Sequence, residues 1–322
     1  MIHIAKTNET EKTMMRDIYC AEMMRMANED KRVYAMDADL VNSIGMSPFA
    51  NEMPERLINC GIQEANMVCT AAGMSATGLI PFIHTFAVFA SRRVYDQIFL
   101  SLGFSKWNVK IIGSDPGITA AYNGATHMPF EDMGILRNVP GITILEPTDG
   151  AMLQNLLQQV KDTYGVHYIR LNRKASKQVY EPGSVFTPGK AVQLRDGKDA
   201  TIIACGYCVA EALTAARSLE TEGMSVRVLD MFAIKPIDRE AIIQACKDTG
   251  AIVTAENHSI LNGLGSAVAE VITETIPVPQ ERVGVHDEYG EVGEVEYLAK
   301  RFGLTGEDIA QAVRKAISRK SR

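Results

Sequence analysis

Residues 58–86 read INCGIQEANMVCTAAGMSATGLIPFIHTF, and two different periodicities meet inside them. The run Ala65–Gly78, ANMVCTAAGMSATG, is small, mostly apolar and closed by glycine, which predicts a helix packed on every side. The run Leu79–Phe86, LIPFIHTF, is short and apolar, which predicts a buried strand. A buried helix feeding a buried strand is the repeating unit of α/β layering. Glu64 stands at the mouth of that helix and is the one charge in the stretch. A first-turn carboxylate caps the helix and is favoured by its dipole. A carboxylate in an apolar slot also has a raised pKa and can share a proton with a ligand nitrogen. The two readings are compatible.

Outward from this unit the same alternation continues. RVYAMDADL (32–40), NVKIIGSD (108–115), ITILEP (142–147) and VHYIRLN (166–172) predict further strands, with an amphipathic helix over DGAMLQNLLQQVKDT (149–163). Residues 176–190, SKQVYEPGSVFTPGK, are polar, carry two prolines and two glycines, and have no helical period, which predicts a linker. Beyond it ATIIACG, CVAEALTAARSLETEG, SVRVLDM, DREAIIQACKDTG and AIVTAEN alternate strand and helix again. The expectation is an α/β chain of two domains, each a mainly parallel sheet flanked by helices. Residues 1–180 form the first, 181–190 the linker and 191–322 the second.

The chain of 322 residues is 46% hydrophobic and 22% charged, an ordinary globular balance. A net charge of −6 leaves no basic footprint for nucleic acid or an anionic membrane. No apolar run is long enough to span a bilayer, and the N-terminal stretch lacks the order of a signal peptide. Six cysteines scattered over so long a chain point to a reducing, cytoplasmic setting rather than to disulfide staples. Cys205 and Cys208 form a C-x-x-C without the Trp or Pro neighbours of a redox motif. No second Cys/His pair lies at zinc spacing, so no metal site is expected from this chain.

Several other positions stand out. Thr126 and His127 lie in a tight loop, YNGATHMPF, where an imidazole can act as donor, acid or base. His84 lies within a strand, where a core can absorb it. Phe86 and Phe89, three apart, suit either core packing or a sleeve around a flat heterocycle. Arg16, Arg170 and Arg173 lie outside charge-rich surface stretches, and two arginines with Ser43 could clamp a phosphate through forked hydrogen bonds. There is no G-x-x-x-x-G-K-[ST], no G-x-G-x-x-G and no GDG loop, so the chain has no evident means of holding a diphosphate alone.

Taken in order, MDADL, GIQEANMVCTAAGMSATGLIPFIHTFAVFASRRVYDQI, YNGATHMPFEDMGILRNVPGITILEPTDG and VHYIRLNR resemble the pyrimidine-binding domain of transketolases. VRVLDMFAIKPIDREAII and GAIVTAENHSILNGLGSAVAEVI resemble the transketolase C-terminal domain. The resemblance covers nearly the whole chain and lacks the family's N-terminal diphosphate-binding domain. It implies the C-terminal subunit of a split transketolase, moving a two-carbon ketol unit between sugar phosphates with a separate N-terminal subunit. It further implies a homodimer core, a heterotetramer, and thiamine diphosphate with Mg2+ (or Ca2+) held mainly by the partner subunit. Glu64 matches the family's catalytic glutamate, which bonds the aminopyrimidine and favours its imino tautomer. Phe86 and Phe89 match the aromatics around the pyrimidine, and Asp39 the acidic residue near the cofactor. His127 matches the substrate-facing histidine, and Arg16, Ser43 and Arg173 the residues that grip the sugar phosphate. Asn123 stands where the family usually has Asp, Asp115 where it has a phosphate-binding histidine, and Arg92 where it has an aromatic. Asp115 and YDQI also resemble deoxyxylulose phosphate synthase, so a related thiamine enzyme acting on a 2-oxoacid, of that kind or like a 2-oxoacid dehydrogenase β subunit, is the alternative.

Overall fold

The computed structural model describes residues 1–320. Its strands are β1 (Val33–Asp37), β2 (Leu57–Asn59), β3 (Ile80–Phe86), β4 (Lys110–Ser114), β5 (Thr143–Leu145), β6 (His167–Leu171), β7 (Val192–Arg195), β8 (Ala200–Ala204), β9 (Val226–Asp230), β10 (Ala233–Lys235), β11 (Ile252–Ser259) and β12 (Gln280–Val285). The helices are α1 (Met15–Glu29), α2 (Ser47–Glu52), α3 (Glu64–Ala76), the single turn α4 (Tyr95–Gln97), α5 (Asp132–Leu136), α6 (Gly150–Asp162), α7 (Cys208–Thr221), α8 (Arg239–Thr249), α9 (Leu264–Glu274), α10 (Val295–Arg301) and α11 (Gly306–Ser318).

Two sheets result. The first runs β10-β5-β6-β4-β3-β1-β2 and the second β12-β11-β8-β9-β7. Pairing is parallel except at one edge of each, where β10 joins β5 and β7 joins β9 antiparallel. The expected pair of helix-flanked, mainly parallel sheets is therefore present. The central strands β3, β4 and β6 are buried along their whole length, as parallel strands covered on both faces must be.

The departures are local. Helix α3 is not packed on every side: Met67, Val68, Ala71, Ala72 and Ser75 are buried, whereas Asn66, Cys69, Gly73 and Ala76 form a more accessible stripe. Small side chains have no strong preference for either face, so their run did not reveal the stripe. Helix α1 buries Met15, Tyr19, Cys20, Met23, Met26 and Ala27 against the first sheet. The segment 176–190 is packed against the N-terminus through bridges Ile4–Tyr180 and Thr10–Lys177, and Val179, Tyr180 and Phe186 are buried. Asp149 fixes its position. One carboxylate oxygen caps α6 by accepting from Met152 N at 3.0 Å, and the other accepts from Val179 N and Tyr180 N at 2.8 and 2.7 Å. Strand β10 comes from beyond that segment yet completes the first sheet, with Ala233 opposite Leu145 and Lys235 opposite Ile144.

Candidate active site

The carboxyl ends of β1, β3, β4 and β6 open onto one crevice, the place where open α/β sheets bind ligands. Asp39 follows β1, Phe86 closes β3, Asp115 follows β4, and Arg173 lies two residues past β6. Beneath the crevice His84 Nε2 lies 2.8 Å from Asp37 Oδ2, and His84 Nδ1 lies 3.3 Å from the Tyr19 hydroxyl. Asp37 Oδ1 accepts from Leu40 N at 2.5 Å. This buried group ties helix α1 and strands β1 and β3 to the start of the loop that carries Asp39 and Ser43. His84 is thus absorbed by the core, as a strand histidine can be.

Glu64 opens α3 and is 3% exposed. Its Oε1 accepts from Arg93 Nη1 at 2.8 Å. The same guanidinium lies over the Phe89 ring at 3.6 Å from its centroid. Phe89 and Phe86 both meet the His127 ring nearly edge-on, at 5.2 and 5.6 Å between centroids. His127 Nδ1 and Thr126 Oγ1 are hydrogen-bonded at 2.9 Å, which leaves Nε2 as the free edge. Burial, and then the Arg93 charge, lower the His127 pKa from its ordinary value, so the ring is neutral near pH 7. Val88, Phe89, Arg92, Arg93, Thr126 and His127 line a cleft of about 420 Å3. Arg92, on its wall, pairs with Glu131 at 2.9 Å.

The second group adjoins the first through Phe86, over which the Arg173 guanidinium lies at 5.6 Å. Arg16 Nη1 and Arg173 Nη1 both donate to the Ser43 carbonyl, at 3.2 and 3.4 Å. The three residues converge, but it is the carbonyl of Ser43 rather than its hydroxyl that holds the guanidinium groups. Gly45 permits this. Its φ of +77° suits glycine, and a Cβ there would approach the Arg16 stem to 3.1 Å. Arg173 Nε lies 2.9 Å from Asp115 Oδ2. Burial pushes the Asp115 carboxyl up to about 6 against the opposing pull of Arg173.

Asp39 stands apart from both groups. It is exposed at φ +64°, and its N–H donates to Asn59 Oδ1 at 3.2 Å. Arg170, also singled out by sequence, is fully buried away from the cleft. It bonds Asp132 through Nε and Nη2 at 2.9 Å each and Glu146 through Nη1 at 2.8 Å.

Arg93 and Asn257 escaped the sequence reading. The second of the paired arginines in ASRRVYDQI could have flagged the first. Asn257 lies on β11 of the second sheet and grips the loop that carries His127. Its Oδ1 accepts from Ile118 N at 2.9 Å and its Nδ2 donates to the Pro116 carbonyl at 3.0 Å. That loop is strained: Ala121 has φ 48° and ψ −117°, a conformation that costs a non-glycine residue about 1–3 kcal/mol. The other sheet therefore props the loop that leads to His127. Cys205 and Cys208 are fully buried, and burial raises both thiols well above the ordinary range, which removes the thiolate that redox chemistry requires. Among the described residues no group of three or more His, Cys, Asp or Glu side chains is arranged to hold a metal ion. None of the described helices is long and apolar enough to cross a membrane.

Comparison with known proteins identifies the family of the chain. Residues 11–178 match the transketolase pyrimidine-binding domain and residues 189–309 the transketolase C-terminal domain. A 6-deoxy-6-sulfo-D-fructose transketolase subunit of Clostridium sp. (strain MSTE9) is 47% identical over 97% of this chain and 97% of its own length. A putative transketolase C-terminal section of Methanocaldococcus jannaschii is 39% identical over 93% of this chain and 95% of its own. Human transketolase is 33% identical over 96% of this chain, which spans 50% of the human protein. A solved structure described as a split gene transketolase, inactive beta4 tetramer, superposes with a TM-score of 0.88 at 40% identity, covering 97% of this chain and 100% of that one. The chain therefore belongs to the transketolase family, as a subunit built of that family's pyrimidine-binding and C-terminal domains.

Proposed function

We propose that this chain supplies the pyrimidine side of a thiamine-diphosphate site and moves a two-carbon ketol unit between sugars that end in an oxyanion, the sugar-phosphate class, together with a separate N-terminal subunit. The observation that carries the reading is the cluster at one cleft, where half-buried Phe89 and His127 line the wall, buried Phe86 packs against both rings, and buried Glu64 is joined to it through Arg93. The residues fit half of the cofactor. A flat heterocycle is matched by the aromatic wall, and a ring nitrogen by a carboxylate inaccessible to water. In this reading the diphosphate and its metal ion are held by the partner subunit. When bound, the cofactor supplies a nucleophilic carbon and a sink for the electron pair of the transferred unit.

The chain's own residues do the rest. Glu64 holds a proton at the ring nitrogen, strengthened by exclusion of water. Phe86 and Phe89 orient the ring and keep the cleft dry. His127, neutral with Nε2 free, hydrogen-bonds substrate hydroxyls and exchanges protons with them. Arg16 and Arg173 grip the far oxyanion. Asp39 extends the cofactor side toward the partner. Residues 1–180 act as the pyrimidine-binding domain and 191–322 as the C-terminal domain, joined by 181–190. A homodimer core binding two N-terminal subunits is in keeping with the solved relative's beta4 tetramer. The free cysteines suit a reducing cytoplasm.

Reconstitution tests the reading. The purified chain with cofactor and Mg2+ is expected to show no ketol transfer, and addition of the N-terminal subunit to restore it. Full turnover by the isolated chain, or release of carbon dioxide from pyruvate in place of ketol transfer by the complex, would overturn it.

A further inference from the structure

The oxyanion pocket is nearly balanced in charge. Each of its arginines has an acidic neighbour: Arg173 has Asp115 at 2.9 Å, and Arg16 has Asp17 with Oδ1 3.7 Å from its Nε. The two carboxylates differ. Asp17 is half in water, where its charge is screened. Asp115 is 1% exposed, so water screens its charge far less than that of Asp17, and the carboxyl, pushed up to about 6, is still mainly ionised near neutral pH. Among the described residues its only partner is Arg173, through the ion pair and that residue's backbone N–H, so its charge is committed to the pocket rather than to another part of the fold. Its backbone φ of +54° suits Asp, Asn and His better than most residues, so Asn or His can take the same backbone conformation.

We propose that Asp115 is a specificity-determining residue, which lowers the pocket's positive charge so that a sugar ending in a singly charged sulfonate is used alongside one ending in a doubly charged phosphate. The inference rests on reading Arg16 and Arg173 as the oxyanion grip. A fixed negative charge repels a dianion by twice as much as a monoanion at the same distance. Removing it strengthens binding of both and of the dianion more. The remaining positive charges, Arg16, Arg173 and neighbouring Lys174, all lie on the attracting side, and Lys174 and Arg16 both act on Asp115. The relative named for a sulfo-sugar shares 47% of its residues with this chain, which makes the sulfonate a natural probe.

The test uses the reconstituted two-subunit complex with one uncharged acceptor, glycolaldehyde, so that only the donor meets the pocket, and with three donors: 6-deoxy-6-sulfo-D-fructose, D-fructose 6-phosphate and the uncharged ketose L-erythrulose. Asp115→Asn keeps the shape and the backbone preference while removing the charge. It is expected to raise kcat/KM for the phosphate relative to the sulfonate by about tenfold or more, chiefly through KM, with L-erythrulose unchanged. Asp115→His removes the charge by a second route and is expected to move the ratio the same way, so either variant that assembles decides the matter. Arg173→Ala is the control on the pocket. It is expected to raise KM for both charged donors and not for L-erythrulose. If Arg173→Ala affects all three donors alike, the oxyanion reading itself fails. If Arg173→Ala discriminates but neither Asp115 variant shifts the phosphate-to-sulfonate ratio, the charge-balance proposal is overturned while the pocket stands.

Discussion

Replacing Glu64 with glutamine separates the structural role of this carboxylate from its chemical one. The structural contribution is small. Its ion-pair partner Arg93 is 44% exposed, so solvent screens the pair and it is worth about 0–1 kcal/mol. Glutamine keeps an acceptor for Arg93 Nη1 at the same position. Loss of a first-turn charge costs the helix about 0.3–1 kcal/mol. Together these amount to about 0.3–2 kcal/mol, against a typical domain stability of about 5–15 kcal/mol, so the variant folds and assembles. Proton sharing is another matter, because an amide cannot hold the proton at a ring nitrogen as a carboxylate does. A positioned acid or base contributes about 10²–10⁴ in rate, or roughly 3–5 kcal/mol of barrier. The assay is exchange of the cofactor's thiazolium proton with deuterated water in the assembled complex, with no sugar present. Exchange is expected to slow by about 10² or more while cofactor affinity and assembly change little. Exchange as fast in Glu64→Gln as in the parent would refute the chemical role and leave Glu64 as a helix-start carboxylate paired to Arg93.

Asn257→Ala is expected to lower stability by about 1–3 kcal/mol, because Ile118 N–H and the Pro116 carbonyl lose their buried partner. It should also lower kcat in the complex by loosening the His127 loop; an unchanged urea midpoint would contradict the pinning role. Stability should also depend on pH through Asp230 and Glu256, both pushed up to about 7 by burial. The folded chain keeps protons there that the unfolded chain releases above about pH 4–4.5. The contribution of these two groups is therefore greatest at the acid end of that window, falls by at most about 1.4 kcal/mol per pH unit for each group as pH rises to about 7, and levels off beyond. His167 and His258, lowered by burial to about 3 and about 4, pull the other way below about pH 6.5. The sign is therefore read by difference: a denaturation midpoint that falls as steeply between about pH 5 and 7 in Asp230→Asn and Glu256→Gln as in the parent would contradict it.

The sequence disclosed what depends on local pattern. Apolar runs such as LIPFIHTF and NVKIIGSD become buried parallel strands because only a strand covered on both faces can be apolar throughout. The periodic spacing of Leu153, Leu156, Leu157 and Val160 placed α6. Helix α1 carries an equally regular face of Met15, Tyr19, Met23 and Met26, but the charges interleaved with it and its place near the N-terminus hid the pattern. The sites divide in the same way. Glu64, Phe86, Phe89 and His127 lie in recognisable strings, and the fold brings them to one cleft. Arg93, the partner of Glu64, lies 29 positions away on a segment of short irregular turns, where no periodicity indicates which way a side chain faces. Asn257 acts from another sheet, and the Asp115–Arg173 pair joins the ends of two neighbouring strands. Such contacts are set by how elements dock, which one-dimensional pattern does not encode.

Strand β10 gives the two halves of the chain a shared fate. Its three residues cap a sheet whose other members all precede residue 172. Severing the chain between 181 and 190 and discarding the C-terminal half would strip that cap and leave the N–H and C=O groups of β5 facing water. An uncovered edge is a template for pairing with the edge of another copy, so the isolated first half would tend toward aggregation rather than behave as an autonomous module. An engineer seeking a minimal pyrimidine-binding unit would have to carry residues 233–235 along, or blunt β5 with a charged residue on its open side. The two sheets are separate ladders, yet the buried clusters that fill them draw residues from both halves, and with β10 they make the chain one piece.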